Sequence, residues 1–142
     1  MSDTTGSVTA SRHFDQPAER VFDAWLDPLI ARRFLFATGT GEMVRAQTDP
    51  RVGGEFVFTD RRDGEDIEHA GKYAEITRPK RIAFDFVVLK YSTQSTRVTV
   101  DFRRYRDGTD VTLTQDGVVS GFEERTRHGW GTILAQLGAA LS

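Results

Sequence analysis

The stretch Gly129-Trp130-Gly131-Thr132-Ile133-Leu134-Ala135-Gln136-Leu137-Gly138-Ala139-Ala140-Leu141 decides the fold. Within it Trp130, Ile133, Leu134, Leu137 and Leu141 recur at i, i+3, i+4, i+7 and i+11, which places them in one apolar stripe on a helix. The helical pattern begins at about Gly121, and a helix of roughly 20 residues spans about 30 Å, long enough to cross a sheet. A stripe of that kind has to be buried against another element.

The partner is written upstream. From Met43 to Asp116 the period is two, with turn residues between runs. Val44 to Thr48 reads as a strand, and Asp49-Pro50-Arg51-Val52-Gly53-Gly54 turns it. Phe56 and Phe58 share one face of the next strand, which Arg62-Asp63-Gly64 ends. Ile67 to Ile76 carries His69, Gly71 and Tyr73 on one face. After Pro79, Ile82, Phe84, Phe86 and Val88 alternate; after the Tyr91 to Ser95 connection, so do Thr96, Val98, Val100 and Phe102. Asp107-Gly108 is a hairpin signal, followed by Val111, Leu113 and Gln115 in alternation. One apolar and one polar face per strand is the pattern of an antiparallel sheet with water on one side.

Further upstream, Val8 to Phe14 reads as a first strand. A helix follows, with Asp15 or Gln16 as cap, Pro17 at the first helical position and Glu19 in the first turn. Ala18, Val21, Phe22 and Trp25 form its apolar face. Asp27-Pro28 breaks it, and Leu29 to Phe34 reads as a second short helix before the Ala37 to Gly41 connection. The expected architecture is therefore α+β: about seven antiparallel strands, two short helices after strand 1 and one long C-terminal helix.

At 142 residues the chain fits one domain, 1–142, with residues 1–6 expected outside the ordered fold. It has no cysteine, which excludes a disulfide framework, a thiolate nucleophile and a cysteine zinc site. The opening MSDTTGSVTA has neither the basic nor the apolar region of a secretory signal, and a cytoplasmic location fits. No apolar run reaches the roughly 20 residues of a membrane span. The net charge is −2 with both signs interspersed, which speaks against nucleic acid. The notable excess is aromatic: ten Phe, three Tyr and two Trp.

Four segments carry a resemblance: FDQPAERVFDAWLDP from Phe14 to Pro28, DPRVGGEFVF from Asp49 to Phe58, GKYAEITRPKRI from Gly71 to Ile82, and GWGTILAQL from Gly129 to Leu137. In this order and spacing they resemble the helix-grip fold of the START-like (SRPBCC) superfamily. Within it they are similar to the activator of 90-kDa heat-shock protein ATPase homologue (AHSA-type) family. Members commonly carry Trp where Phe34 stands here, so this chain lacks that indole N–H donor. The resemblance implies a curved sheet gripping the long helix around a cavity for apolar molecules, with no cofactor. It does not imply a reaction, because fold and function are separable.

The residues expected to line such a cavity are Phe34, Phe56, Phe58, Tyr73, Phe84, Phe86, Val98, Val100, Phe102, Leu113, Trp130 and Leu134. The plainer reading is that the same set forms a solid core. Polar candidates are His69, Tyr73, Thr96, Gln115, Arg12 and His128. His69 and Tyr73, on one strand face, could form an inward donor–acceptor pair for acid–base chemistry; the alternative is a locally bonded His69. Histidines at 13, 69 and 128 have no metal-ligand spacing. Asp15, Glu19 and Asp23 read as surface carboxylates near a helix start, and Glu123, Glu124, Arg125 and Arg127 as exposed i, i+4 pairs. Three functions are expected, in order: binding of a small apolar or lipid-like ligand, a cyclase- or hydrolase-like activity through His69 and Tyr73, and a stress-response contact with a chaperone ATPase. A homodimer is compatible with each.

Overall fold

In a computed structural model of the chain, residues 5–38, 40–91 and 93–142 are described. The elements are β1 (Thr5–Phe14), α1 (Ala18–Leu26), α2 (Pro28–Ala31), β2 (Glu42–Thr48), β3 (Glu55–Arg62), β4 (Glu65–Thr77), β5 (Arg81–Val87), β6 (Thr96–Tyr105), β7 (Gly108–Val119) and α3 (Glu123–Ala140). The strands form one antiparallel sheet in the order β1-β7-β6-β5-β4-β3-β2. Every neighbour except the β1–β7 pair is consecutive in sequence, so the strands from β2 to β7 are a meander. The chain is a helix-grip α+β fold, with α3 lying across the inner face against β1 and β7.

The alternation in sequence becomes two different faces. Inward, Phe56, Phe58, Tyr73, Phe84, Val98, Val100 and Leu113 are buried. Outward, residues directly opposite across β5 and β6 are ion pairs: Arg97 Nε to Asp85 at 2.6 Å and Arg81 Nε to Asp101 at 2.7 Å. Exposed pairs of this kind contribute about 0–1 kcal/mol each, so the inner face supplies most of the stability. On α3, Trp130, Leu134 and Leu137 point fully into the core and Leu141 completes the row. Ile133 lies on its flank, half-buried. The carbonyl of Leu141 accepts from Arg20 Nη2 at 2.9 Å and Gln16 Nε2 at 3.4 Å, which ties the end of α3 to α1.

The boundaries differ from the sequence reading in several places; β5, for one, ends at Val87, so Val88 does not continue its alternation. β1 begins at Thr5, paired with Val119, so Thr5 and Gly6 belong to the sheet, while residues 1–4 lie outside the described residues. Pro17 is the N-cap of α1, not its first residue, with extended φ −61° and ψ 149°. Asp27 does more than break α1: its Oδ1 accepts from Leu29 N at 2.9 Å and caps α2, with Pro28 at the first position. α2 then ends at Ala31, not Phe34; hydrogen-bonded turns, with Phe34 N and Leu35 N donating to the Ala31 carbonyl, carry the chain on to Phe36 at φ +59°. The β6–β7 turn is Arg106-Asp107, with Arg106 at φ +56°. Gly108 is the first residue of β7, where a Cβ would lie 2.2 Å from the carbonyl oxygen of Phe14. Glycine is required there for close approach, not for the turn.

Candidate functional site

All twelve residues expected to line a cavity sit on the inner side of the sheet or on elements packed against it; eleven are buried and Phe86 is half-buried. They do not form one continuous ring system. Phe102 packs with Phe22 at 5.1 Å and Trp25 at 6.4 Å, and Phe34 meets Trp25 edge-on at 5.2 Å, forming a group under α1. Phe56, Phe58, Tyr73, Phe84, Phe86 and Trp130 form a second group under the first half of α3. Among the described residues no ring contact joins the two groups.

The second group has a centre that the periodicity did not mark. The Phe36 ring stacks on the His69 imidazole at 4.4 Å and 13°, and lies 5.3 Å from Phe86, 5.8 Å from Trp130 and 6.0 Å from Phe58. Phe36 belongs to the connection between α2 and β2, and side chains from two other elements, β3 and α3, hold that connection. Arg62 Nη2 donates to the Phe36 carbonyl at 3.1 Å. Gln136 Nε2, on α3, donates to the carbonyls of Phe34 at 3.0 Å and Ala37 at 3.1 Å. Thr38 Oγ1 donates to Asp60 Oδ2 at 2.9 Å, and Arg62 Nε pairs with the same oxygen at 2.8 Å.

Polar groups on the inner face are few and specific. Trp130 Nε1 donates to Gln115 Oε1 at 2.6 Å, and Gln115 Nε2 donates to Thr96 Oγ1 at 3.0 Å. This relay joins α3 to β7 and β6 and satisfies the indole N–H that burial would otherwise leave unpaired. Asp60 Oδ1 and His69 Nδ1 are buried without a hydrogen-bond partner, as is Trp25 Nε1 in the other group.

His69 and Tyr73 face inward together on β4, but no hydrogen bond joins them, so the expected donor–acceptor pair is not made. Burial brings the His69 imidazole down to about 4, helped by the Arg62 charge; the nearby backbone of Phe58 and Ile67 and the Asp60 charge oppose it. Burial pushes Tyr73 up, with the Asp49 charge adding to it. Both shifts favour the neutral form. His13 is at the surface between Asp110, at 2.6 Å from Nδ1, and Asp15, at 3.2 Å from Nε2; the Asp110 hydrogen bond raises it. Arg12 and His128 are exposed. Glu19 and Asp23 are paired with Arg104 and Arg78, and Glu124 pairs with Arg127 at i, i+3 in place of i, i+4. No cluster of metal-ligating side chains occurs among the described residues, and no described helix is long and apolar enough to cross a membrane.

Two open surface depressions, of about 750 and 570 Å3, reach these groups from outside: Phe56 and Phe86 help line the larger and Phe102 the smaller. The larger runs over the outer side of β2 to β5, where Arg45, Glu55, Glu68, Lys72 and Asp85 alternate in sign. The smaller lies beside the start of α1, near Lys80 and Arg103. Neither is lined by a residue of α3.

Sequence reasoning missed Phe36, Asp60, Arg62 and Gln136. For Asp60 a signal existed: it continues the Phe56, Phe58 alternation, so the strand period alone turns it inward. Phe36 gave none, because it sits in Phe34-Leu35-Phe36 with no period to place it.

The chain is similar in structure to several proteins of known fold. Protein CV1439 from Chromobacterium violaceum superposes with a TM-score of 0.83 at 24% identity, covering 94% of this chain and 95% of that one. An AHSA1-like protein from Aeromonas hydrophila gives 0.83 at 23% identity, covering 95% and 91%. The Mll3558 protein from Rhizobium loti gives 0.77 at 26% identity, covering 99% of each chain. No curated protein matches the sequence. Residues 15–142 match the family described as "Activator of Hsp90 ATPase homolog 1-like protein", with the edge strand β1 completing the sheet those residues build. The chain therefore belongs to the Activator of Hsp90 ATPase homolog 1-like family.

Proposed function

We propose that the protein binds a small apolar molecule between α3 and the inner face of the sheet. The observation that carries this reading is the second aromatic group: rings from β3, β4, β5 and α3 converge on one region, relieved only by a few fixed polar atoms. Apolar lining with a small number of placed polar groups is the usual make-up of ligand sites. An acid–base enzyme is supported less. A catalytic group works best with a pKa near the operating pH, whereas His69 is lowered to about 4 and Tyr73 is raised from an already high value.

Native mass spectrometry of protein purified without denaturant tests the proposal. A non-covalent adduct that disappears on unfolding is the expected result. A complementary titration uses Trp25→Phe, so that Trp130 alone reports, with naphthalene as the apolar probe. Saturable quenching at micromolar protein supports binding, and a flat titration together with a bare mass refutes it.

A second reading, docking on a chaperone ATPase, has one observation in its favour beyond the family. Leu89 and Tyr91 follow β5, and Phe122 follows β7; all three are exposed, and the antiparallel order puts both connections at one end of the sheet. Stimulation of a purified Hsp90 ATPase by the wild type, lost in Leu89→Ser/Tyr91→Ser, is the expected result of that reading. No stimulation by the wild type sinks it.

A further inference from the structure

Phe36 is held where a phenylalanine does not go by preference. Its φ of +59° lies in the left-handed region, which is strained for a bulky side chain. The hydrogen bonds from Arg62 to its own carbonyl and from Gln136 to the carbonyls of Phe34 and Ala37 maintain that conformation. The effect is to drive one ring from a connection into the middle of rings that belong to the sheet and α3. It is buried there, against His69, Phe86 and Trp130.

The ring it delivers is a poor match for its surroundings. His69 is 7% exposed and Asp60 1%, yet His69 Nδ1 and Asp60 Oδ1 have no partner. A buried polar atom left without a partner is unfavourable, and a phenyl ring has neither donor nor acceptor to offer them. Both residues come from inward positions of neighbouring strands, with His69 directly opposite Phe58 and Asp60 opposite Ile67. Asp60 is tied to the segment Phe36 belongs to: its Oδ2 accepts from Thr38 and from Arg62, and Arg62 also donates to the Phe36 carbonyl.

We infer that Phe36 is an internal stand-in for the ligand, and that the ligand is a planar aromatic molecule bearing a hydroxyl. Its ring replaces that of Phe36 among Phe86, Trp130 and Phe58, and its hydroxyl is turned to the edge of His69 and to Asp60. A hydroxyl is the fitting group because it both donates and accepts. It therefore serves Nδ1 in either imidazole tautomer and can donate to a carboxylate oxygen. This inference rests on the ligand-binding reading and names the ligand's class.

The test titrates naphthalene and 2-naphthol, which differ only in the hydroxyl, into the wild type, Phe36→Gly and Phe36→Gly/His69→Phe. Glycine suits the left-handed backbone and vacates the ring's position. The expected result is that Phe36→Gly binds 2-naphthol at least tenfold more tightly than the wild type does. It should also prefer 2-naphthol to naphthalene at least tenfold, and the double variant should lose that preference. Equal affinity of Phe36→Gly and wild type overturns the stand-in role. Equal affinity of Phe36→Gly for the two probes overturns the hydroxyl, while leaving apolar binding intact. No saturable binding of either probe by any variant overturns the ligand-binding reading itself. Should Phe36→Gly not fold, the wild type decides: saturating 2-naphthol must move the His69 ring 15N resonances and naphthalene must not. Unmoved resonances with 2-naphthol overturn the inference.

Discussion

His69→Gln should remove a pH dependence of stability that the wild type shows between about pH 6.5 and pH 4. In the unfolded chain the imidazole takes up a proton near its usual 6.5, but in the folded protein it does so only at about 4, because it is buried beside Arg62. Between these values the unfolded state binds more protons, so stability rises with pH across the window and is lost as pH falls through it. The shift of about 2.5 units corresponds to about 3 kcal/mol at 1.36 kcal/mol per unit. For a chain of 142 residues that is a fall in Tm of roughly 10 °C. Urea unfolding of wild type and variant at pH 7 and pH 4.5 measures it, with most of the difference already present at pH 4.5. Other groups act outside the interval between pH 4.5 and pH 6.5. Asp23 and Asp66, lowered by Arg78 and Arg61, and Glu19, lowered by its own backbone hydrogen bond and by Arg104, contribute stability lost only below their unfolded values of 3.8 and 4.5. His13, raised by Asp110, contributes stability lost above 6.5. If the two proteins lose the same stability between pH 7 and pH 4.5, His69 is not held neutral and the account of the site is wrong.

Gln115→Leu removes both links of the relay and leaves Trp130 Nε1 buried without an acceptor. It should cost about 1–3 kcal/mol in urea unfolding, with an altered Trp130 emission; an unchanged midpoint would mean the relay contributes nothing. Gly71→Ala puts a Cβ 2.4 Å from both the Asp85 carbonyl oxygen and the Phe56 ring. Because one of these is backbone, the β4–β5 pairing has to shift at a cost of about 1–3 kcal/mol, measurable by thermal melting, and a neutral result would contradict that close approach.

What the sequence made legible was whatever repeats. The Phe56/Phe58, Ile82/Phe84 and Val98/Val100/Phe102 alternations put the inner face where it is found, because a period of two leaves a strand one choice once one face is buried. The Trp130, Leu134, Leu137, Leu141 row likewise defines the face of α3. Illegible were the places where tertiary contact overrides local signals. Asp107-Gly108 carries the signature of a turn, yet the turn moved one residue earlier because the Phe14 backbone leaves no room for a side chain at 108. Leu29 to Phe34 has the composition of a helix, and only the Gln136 bonds to the carbonyls of Phe34 and Ala37 show why the chain leaves it early. The inward direction of His69 could be read from strand period, but its missing partner depends on Asp60 and Phe36, which approach it from other segments.

The position of the exceptions is itself informative. Over most of the molecule local rules hold: the opposite charges across β5 and β6 are paired, the Trp130 indole is satisfied and the end of α3 is tied to α1. Unpaired buried polar atoms occur at Trp25 Nε1 and, beside the α2–β2 connection, at Asp60 Oδ1 and His69 Nδ1, where Phe36 takes positive φ as the turn residues Asp63 and Arg106 also do. If the connection served only to fill the core, an apolar residue at 60 and another at 69 would remove about 2–6 kcal/mol of unpaired polar burial, a large part of a typical stability of 5–15 kcal/mol. Solid packing accounts for the ring of Phe36, and the Thr38 and Arg62 bonds for one oxygen of Asp60, but neither accounts for Asp60 Oδ1 and His69 Nδ1. A hydroxylated ligand accounts for all three, because the groups that are costly in the empty protein become its recognition groups once Phe36 gives way.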